Sequence, residues 1–449
     1  MKRITIIGGG ASGTLTAVNL LRNNADTESH INLIERQSRV GRGVAFGTRQ
    51  DTHLLNVPAA RMGAFPDKAD DFHNWLTENG HHHDGHDFVA RKLFGDYLRH
   101  VFNRAVEDSN NNSTIEIIDD EAVDLSVDND GAQVILRSGE IVLTDKVVLA
   151  FGNSLPPHPS VRDTSFTEST KYYRDPWRSR MYESIGESES IFIVGTGLSM
   201  VDVALHFNES GHLGKIYAIS TRGMLPAIHK LGFTYPSFYE EIVGIRRITD
   251  ILKVVRRHAE IAETVGSNWR AVIDALRPDT QKIWCDLPLK ERRIFKQHLS
   301  RYWNTARHRM PPSAAATITE MRANGNLEIL SGRLLDISSN DRFGIKFQSG
   351  QTTNYVEADN LVNCIGSESN YSRLESDFVQ NLVRRGHIRN DELAMGIAAS
   401  TDGRIIDKNG NLSNVVFTLG TALKGTLWET TAIPEIRTQA RDLALRLLE

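Results

Sequence analysis

Two glycine-rich loops are the segments best suited to chemistry, because each joins a short apolar strand pattern to a helix pattern. Gly8, Gly10 and Gly13 give the spacing G-x-G-x-x-G directly after the strand predicted at 3–7. Such a loop lets a pyrophosphate approach the backbone at a helix N-terminus. Glu35 ends the next predicted strand, where a carboxylate accepts hydrogen bonds from ribose hydroxyls and repels a 2′-phosphate. The first loop is therefore predicted to hold the adenosine half of a dinucleotide that lacks a 2′-phosphate.

The second loop has the same start and a different end. Gly195 and Gly197 occupy the first two glycine positions, and Met200 replaces the third. The strand that follows ends at Arg222 and carries no acid at its tip. A guanidinium pairs with a 2′-phosphate through charge-assisted hydrogen bonds, so this loop favours NADPH over NADH. The alternative is that Arg222 is an ordinary solvated arginine.

The elements around these loops repeat. Strand, glycine turn, helix and strand recur at 187–220, which predicts a duplicated nucleotide-binding fold. We expect an α/β protein with two Rossmann-like, three-layer ββα dinucleotide-binding domains, the second inserted in the first. The first domain is predicted at 1–160 plus 320–449 and the second at 161–319, with a helical insertion at 233–310.

Composition excludes several classes of protein. The net charge of −4 argues against a nucleic-acid-binding protein. No apolar run approaches the roughly 18 residues that a membrane span needs. The strand pattern begins near residue 3 and leaves no room for a signal peptide, so a cytoplasmic location is expected. Cys285 and Cys364 do not form a C-x-x-C pair, so no redox-active dithiol is predicted.

Further motifs extend over nearly the whole chain, and with them the sequence resembles the two-dinucleotide-binding flavoproteins. That family includes the flavin-containing and N-hydroxylating (class B) monooxygenases, and the chain is most similar to its bacterial FAD–NAD(P)-binding group. The motifs that carry the resemblance are GGGASG, GRGVAFG, HLLNVPAARMG, ARKLFGDYL, LAFGNSLPP, YYRDPW, VGTGLSMVD, RHRMPP, VNCIGS and GTLWETTAIPEIR.

The resemblance implies FAD in the first loop and NADPH in the second. Besides the glycines of the two loops, Glu35 and Arg222, the cofactor-binding positions that it implies are Ser12, Arg36, Gly43, Asn56, Arg61, Met62, Gly152, Ser199, Gly366, Gly420 and Thr431. Two residues depart from the family pattern. Phe151 stands where relatives have threonine, and Thr421 stands where many have an aspartate that contacts the ribityl chain.

The resemblance also implies a reaction. NADPH would reduce the flavin, and the reduced flavin would form a peroxide with molecular oxygen that hydroxylates a small amine or amino acid. No catalytic side chain is assigned, because the cofactor carries the chemistry. An NAD(P)H-dependent flavin reductase or dehydrogenase without oxygen insertion, and a non-enzymatic FAD-binding protein, remain alternatives. The Baeyer–Villiger fingerprint F-x-G-x-x-x-H fails after Phe166, because Glu168 and Tyr172 replace its glycine and histidine.

The helical insertion is the expected substrate cover. Its tryptophans and the segment Arg307–Pro312 suit an anionic small molecule or an amino acid, although helix packing with surface arginines is the favoured interpretation of these residues. His308 is expected at the surface. The histidine-rich segment 81–86 is interpreted as a polar loop, and no metal site is predicted. The substrate's identity and the oligomeric state stay open.

Overall fold

The structure is a computed structural model and describes residues 1–23, 28–37, 39–109, 113–128 and 130–449. The strands are β1 (Lys2–Ile7), β2 (Ser29–Ile34), β3 (Ser113–Ile118), β4 (Ala122–Val127), β5 (Ala132–Leu136), β6 (Ile141–Thr144), β7 (Lys146–Leu149), β8 (Tyr172–Tyr173), β9 (Ile191–Val194), β10 (Ile216–Ser220), β11 (Leu327–Ser331), β12 (Arg333–Ser339), β13 (Phe343–Ser349), β14 (Thr352–Ala358), β15 (Asn360–Asn363), β16 (Arg404–Ile406) and β17 (Leu412–Thr418). The helices are α1 (Ala11–Arg22), α2 (Asp71–Glu78), α3 (Arg91–Glu107), α4 (Ser179–Ser184), α5 (Leu198–Glu209), α6 (Ile248–Thr264), α7 (Trp269–Ala275), α8 (Thr280–Asp286), α9 (Leu289–Ile294), α10 (Ser300–Arg307), α11 (Pro312–Ala323), α12 (Asp377–Arg385), α13 (Lys424–Leu427) and α14 (Ile433–Leu448).

The first unit is built on a sheet with the order β16-β17-β7-β1-β2-β3. All neighbours pair in parallel except β16 with β17. The apolar side chains of β1 are buried on both faces of this sheet, which is why the strand is a continuous β-branched run. Helices α1, α3 and α14 cover one face, and the antiparallel sheet β4-β5-β6 covers the other. The result is the predicted three-layer ββα arrangement.

The second unit repeats this plan. Its parallel sheet has the order β11-β10-β9-β15-β8. Helices α5 and α11 pack on one face and the antiparallel sheet β12-β13-β14 on the other. Strands β11 to β15 therefore lie with this unit, whereas the sequence analysis returns the chain to the first unit at residue 320. A four-residue apolar strand such as β15 fits either sheet, and only long-range pairing assigns it.

The helical insertion consists of α6 to α10, with a π-helical turn at Phe295–Leu299 between α9 and α10. Its apolar residues form a separate core that also contains Trp428, from the segment between α13 and α14. The insertion thus packs against the end of the chain, next to the first unit. Among the described residues, none of the helices combines the length and the hydropathy that crossing a bilayer requires.

Candidate functional site

The loop of the first unit has the geometry that its glycines predict. Gly8 has φ +108°, a conformation that side chains rarely adopt. A Cβ on Gly13 would clash with the carbonyl oxygen of Gly8, so only glycine lets α1 start so close to β1. The backbone N–H groups at the start of α1 are thereby presented at the carboxyl end of the sheet, where a pyrophosphate binds in folds of this type.

Glu35 lies at the tip of this loop, as its position after β2 predicts. Its Oε2 accepts a hydrogen bond of 2.8 Å from the backbone N–H of Gly9, and its Oε1 accepts one of 3.1 Å from the N–H of Gln37. The carboxylate is held beside the loop by these bonds. Arg36, by contrast, is exposed and pairs with Glu121 at 3.5 Å, so its guanidinium is engaged away from the loop.

The segment after β2 closes over the loop. A Cβ built on Gly10 would lie 3.5 Å from the Cα of Gly43, so the two backbones pass each other closely. Asn56 is farther along this segment, and its carbonyl oxygen accepts a 3.0 Å hydrogen bond from Nε2 of His229 in the second unit. Arg61 has an exposed side chain, and Met62 is buried in the core of the first unit. The structure therefore gives Met62 a packing role.

Three further segments meet at the same edge of the sheet, and together with the Gly8–Gly13 loop they form what we call the first cleft. Gly420 follows β17, and a Cβ on it would lie 2.8 Å from Oγ of Ser12. Thr421 donates a 2.6 Å hydrogen bond to the carbonyl oxygen of Gly152, which follows β7. The hydroxyl of Thr421, which stands where many relatives have an aspartate, is thus already hydrogen-bonded to the protein backbone. Thr431 is exposed just before α14.

The second cleft is formed by the loop Gly195–Met200 and the end of β10. Gly195 has φ +118° and packs against the carbonyl of Cys364, and the side of Gly197 that would carry a Cβ is open. Met200 is fully buried in the core, so a side chain lies between helix α5 and strand β9 where the first loop has a glycine. Ser199 lies in the first turn of α5 and is half-buried. Gly366 follows β15 at the same edge of the sheet.

Two arginines face the outer end of the second cleft. Arg222 is exposed at the tip of β10, and its guanidinium carbon lies 5.8 Å from the ring centre of Tyr302. Arg222 and Arg301 line an open, polar depression of about 460 Å³, together with Thr221 and Ser331. Arg222 is predicted at this position from the sequence, whereas Arg301 is not, because it comes from α10 and is distant in sequence.

A second group that the sequence analysis misses is buried between the helical insertion and the chain before α14. We call Arg307, His308, Lys424 and Glu429 the junction cluster. The indole N–H of Trp303 donates a 2.6 Å hydrogen bond to Oε1 of Glu429. Nε of Arg307 lies 3.9 Å from Oε2 of the same carboxylate.

His308 is half-buried, whereas an exposed position is expected from the sequence. Burial lowers the pKa of His308 to about 4, so the ring is neutral near pH 7. Burial also lowers the pKa of Lys424, against the opposite effect of Glu429. In the sequence, the members of this cluster are recognisable only as charged residues within otherwise apolar segments. That pattern does not predict which of them are in contact, because they lie more than a hundred positions apart.

The two units are joined by a buried ion pair. Arg91 of α3 lies 2.9 Å from Asp202 of α5, and both side chains are almost inaccessible. His53 hydrogen-bonds to Thr48 and to Tyr182, so it lies in the same interface. Burial lowers the pKa of His53 to about 3 and raises that of Asp202 to about 6. These contacts fix the first cleft relative to the second.

Other sequence motifs have structural roles. Phe166 is fully buried, and Tyr172 hydrogen-bonds to His158 and Asn363, so the region of the failed fingerprint packs the second unit. Phe151 packs against Tyr371 and Phe378. The segment 81–86 is a loop, as predicted.

Comparisons with known proteins agree with this architecture. A family model described as FAD-NAD(P)-binding matches residues 5–154. No curated protein matches the chain. The structure is similar to an ornithine N-hydroxylase of Kutzneria sp. 744 described with reduced FAD, NADP+ and L-ornithine, at 14% identity, TM-score 0.65 and 99% and 98% coverage of this chain and that one.

Two other solved structures are equally similar. One is the L-lysine 6-monooxygenase of Pseudomonas syringae, at 14% identity, TM-score 0.66 and coverage of 99% and 98%. The other is the FAD-bound cadaverine monooxygenase of desferrioxamine biosynthesis from Erwinia amylovora, at 15% identity, TM-score 0.66 and coverage of 99% and 94%. The predicted fold, two dinucleotide-binding units of the flavoprotein type, is confirmed.

Proposed function

We propose that this protein is an FAD-dependent oxidoreductase that uses NADPH and oxygen to hydroxylate the nitrogen of a small amine or amino acid. The observation that carries the proposal is the opposite charge at the ends of the two clefts. Glu35 closes the first, and Arg222 with Arg301 closes the second. Both clefts occur in the fold shared with an ornithine N-hydroxylase, an L-lysine 6-monooxygenase and a cadaverine monooxygenase.

The residues of the first cleft fit FAD. The open backbone of the loop and the N-terminus of α1 suit a pyrophosphate, and the carboxylate of Glu35 suits two ribose hydroxyls. A 2′-phosphate there would face this carboxylate at close range and would be repelled. The N-terminus of α14 points toward the same edge of the sheet and favours negative charge on a bound ring system. Gly8, Gly10, Gly13, Glu35 and Gly420 are the positions on which this assignment depends.

The residues of the second cleft fit NADPH. Gly197 leaves room for a pyrophosphate at the start of α5, and Ser199 offers a hydroxyl in the first turn. Arg222 and Arg301 would bind the 2′-phosphate from two sides, one on β10 and one on α10. Bound FAD, reduced by NADPH, would supply the activation of oxygen.

The overall reaction balances as amine plus NADPH, a proton and oxygen, giving hydroxylamine, NADP+ and water. The side chains bind, orient and exclude water, and none is required to donate or accept the reacting proton. A disulfide-reducing flavoprotein would need a reactive dithiol, and burial raises the pKa values of both Cys285 and Cys364, which keeps them as unreactive thiols.

The test is the coupling of NADPH consumption to product. The FAD-loaded protein is incubated with NADPH, oxygen and a panel of amines, and NADPH loss, hydrogen peroxide and hydroxylamine are measured together. We expect at least one amine to give hydroxylamine in near-equal amount to NADPH consumed. NADPH oxidation that yields only hydrogen peroxide with every amine would indicate a reductase, and no NADPH oxidation would indicate a binding protein.

A further inference from the structure

An apolar cavity lies inside the helical insertion. Its volume is about 210 Å³, and its walls come from α6, α7, α8, α10, the π-helical turn Phe295–Leu299 and Trp428. The walls are rich in aromatic side chains, with ring centres 5.1 Å apart for Trp284 and Trp428 and 4.9 Å apart for Phe295 and Trp428. An apolar cavity of about 150 Å³ is large enough to hold benzene. This cavity therefore has room for one aromatic ring with a short chain.

Two tryptophans belong both to the cavity wall and to the edge of the junction cluster. Trp303 lines the cavity, and its N–H donates to Glu429. Trp428 also lines it, directly precedes Glu429 in the chain, and has its ring centre 5.7 Å from Nζ of Lys424. Trp428 has φ +63°, which is rare for a bulky residue and occurs where surrounding contacts enforce it. The apolar and charged regions are thus adjacent.

The cluster has more positive than negative charge. Glu435 is already bound by Arg277 through two hydrogen bonds of 2.8 and 3.0 Å. Glu429 lies 3.9 Å from Nε of Arg307 and also acts on Lys424, and Nη2 of Arg307 lies 4.0 Å from Oε1 of Glu435 without a hydrogen bond. The nearby Lys296 faces Asp391, and Arg437, which lies near Arg277 and Glu435, adds another positive charge. One bound anion would balance this excess of positive charge.

Arg307 is the residue best placed to receive that anion. It is only 8% exposed, and its Nε and Nη2 have no hydrogen-bond partner within the part of the chain that the structure describes. A buried guanidinium with unused donors is costly, and a carboxylate satisfies two such donors at once. Ala306, the preceding residue of α10, lines the cavity. An anion at Arg307 can therefore be part of a molecule whose apolar body fills the cavity.

We propose that the cavity and the junction cluster together form the substrate site, and that they select a molecule with an aromatic or similarly compact apolar body and one carboxylate. The assignment of this ligand as substrate rests on the proposed N-hydroxylation. Within that reaction it favours an aromatic amino acid over a substrate with a second charged amine, because the cavity wall offers almost no polar group to a charged chain end. Thr430 links the site to the first cleft, since it follows Glu429 and donates a 3.0 Å hydrogen bond to the carbonyl of Gly420.

The test measures binding directly, by isothermal titration calorimetry on the FAD-loaded protein without NADPH. The probes are 3-phenylpropionate, its uncharged amide 3-phenylpropionamide, and acetate. We expect 3-phenylpropionate to bind roughly 10- to 100-fold more tightly than the amide, as charge-assisted hydrogen bonds to a buried arginine imply. Acetate should bind weakly because it leaves the cavity empty. Equal affinity for the acid and the amide, or for the acid and acetate, would overturn the proposal.

Two variants separate the contribution of the charge on Arg307 from that of the cavity volume. Arg307→Met should abolish the preference for the acid over the amide and leave the amide's affinity unchanged. Ala306→Phe should weaken both ligands alike, because it fills the cavity without removing a charge. An acid preference that survives in R307M would contradict the role of Arg307. If A306F fails to fold, the comparison of the three probes on the unaltered protein still tests the proposed site.

The result is independent of the proposed reaction. Tight, charge-selective binding without any hydroxylamine formation would support the site and remove the proposed function. Hydroxylation of L-ornithine with no binding of 3-phenylpropionate would support the function and remove this site. With both in place, NADPH consumption with L-phenylalanine should exceed that with L-ornithine.

Discussion

Replacing Arg222 by alanine tests whether the second cleft recognises a 2′-phosphate. Arg222 is exposed, and within the described part of the chain it contacts Tyr302 and has no carboxylate partner. Its removal should therefore leave the fold intact. Because Arg301 lines the same depression, the single variant R222A keeps one of the two cations, whereas R222A/R301A keeps neither.

The expected magnitude follows from this geometry. A charge-assisted hydrogen bond contributes about 1.5 to 3 kcal/mol, with the lower end applying to an exposed group that water and salt screen. The Kd for NADP+ should rise roughly 10-fold in R222A, which corresponds to about 1.4 kcal/mol, and roughly 100-fold in the double variant. The Kd for NAD+ should change by less than about twofold, because NAD+ lacks the phosphate.

The assay is quenching of the protein's tryptophan fluorescence by NADP+ and NAD+, at low and at high salt. The preference for NADP+ should decrease as salt rises in the unaltered protein and lose this dependence in R222A/R301A. Arg104→Ala is the matched control, because Arg104 is an exposed arginine on α3 of the first unit. Equal weakening of NADP+ and NAD+ in R222A, or a similar effect of R104A, would refute the reasoning.

Two other predictions concern the first cleft and pH. Gly10→Val should purify as folded but colourless protein, because its methyl groups would meet the backbone of Gly43, which lies 3.5 Å from the position of a Cβ; a yellow protein with stoichiometric FAD would exclude this loop from the flavin site. Burial holds the folded pKa of His53 near 3 and those of His229 and His308 near 4, below 6.5 in the unfolded chain, so their contribution to stability is complete above pH 6.5 and is lost as pH falls toward 4. Asp202, whose pKa burial raises to about 6, acts in the opposite direction between about pH 6 and 4, so the three histidines together outweigh it and the free energy of unfolding should fall as the pH falls below 6.5. Urea unfolding followed by circular dichroism at several pH values measures this slope, and a free energy of unfolding that stays constant from pH 7 to 5 would contradict it.

The loops could be predicted because their information is local. The glycines of each loop are within six residues of one another, and the flanking strand and helix patterns leave one geometry open to them. Glu35 was predicted for the same reason, since it ends the strand that pairs with β1. Its hydrogen bond from Gly9 is the direct consequence of that pairing.

The junction cluster could not be predicted because its information is not local. Trp303 and Glu429 are 126 positions apart and meet only because the helical insertion folds back on the segment before α14. The sequence places strand β15 in the first unit for a related reason. The residues of a short apolar strand do not indicate which of the two sheets the strand joins. Arg301 was missed since a surface arginine on a helix gives no signal of its own.

Helix α10 carries Arg301 near its start and Arg307 at its end, about 9 Å apart along the axis. Arg301 lines the polar depression of the second cleft, and Arg307 directly follows Ala306 of the cavity wall, while a π-helical turn, a distortion frequent at functional sites, precedes both. A rigid rod with a recognition group at each end obeys thermodynamic reciprocity: whatever factor one occupant applies to the affinity of the other is returned unchanged. If both proposed ligands bind, a change in the position of α10 on binding one of them would change the affinity for the other by the same factor in both directions.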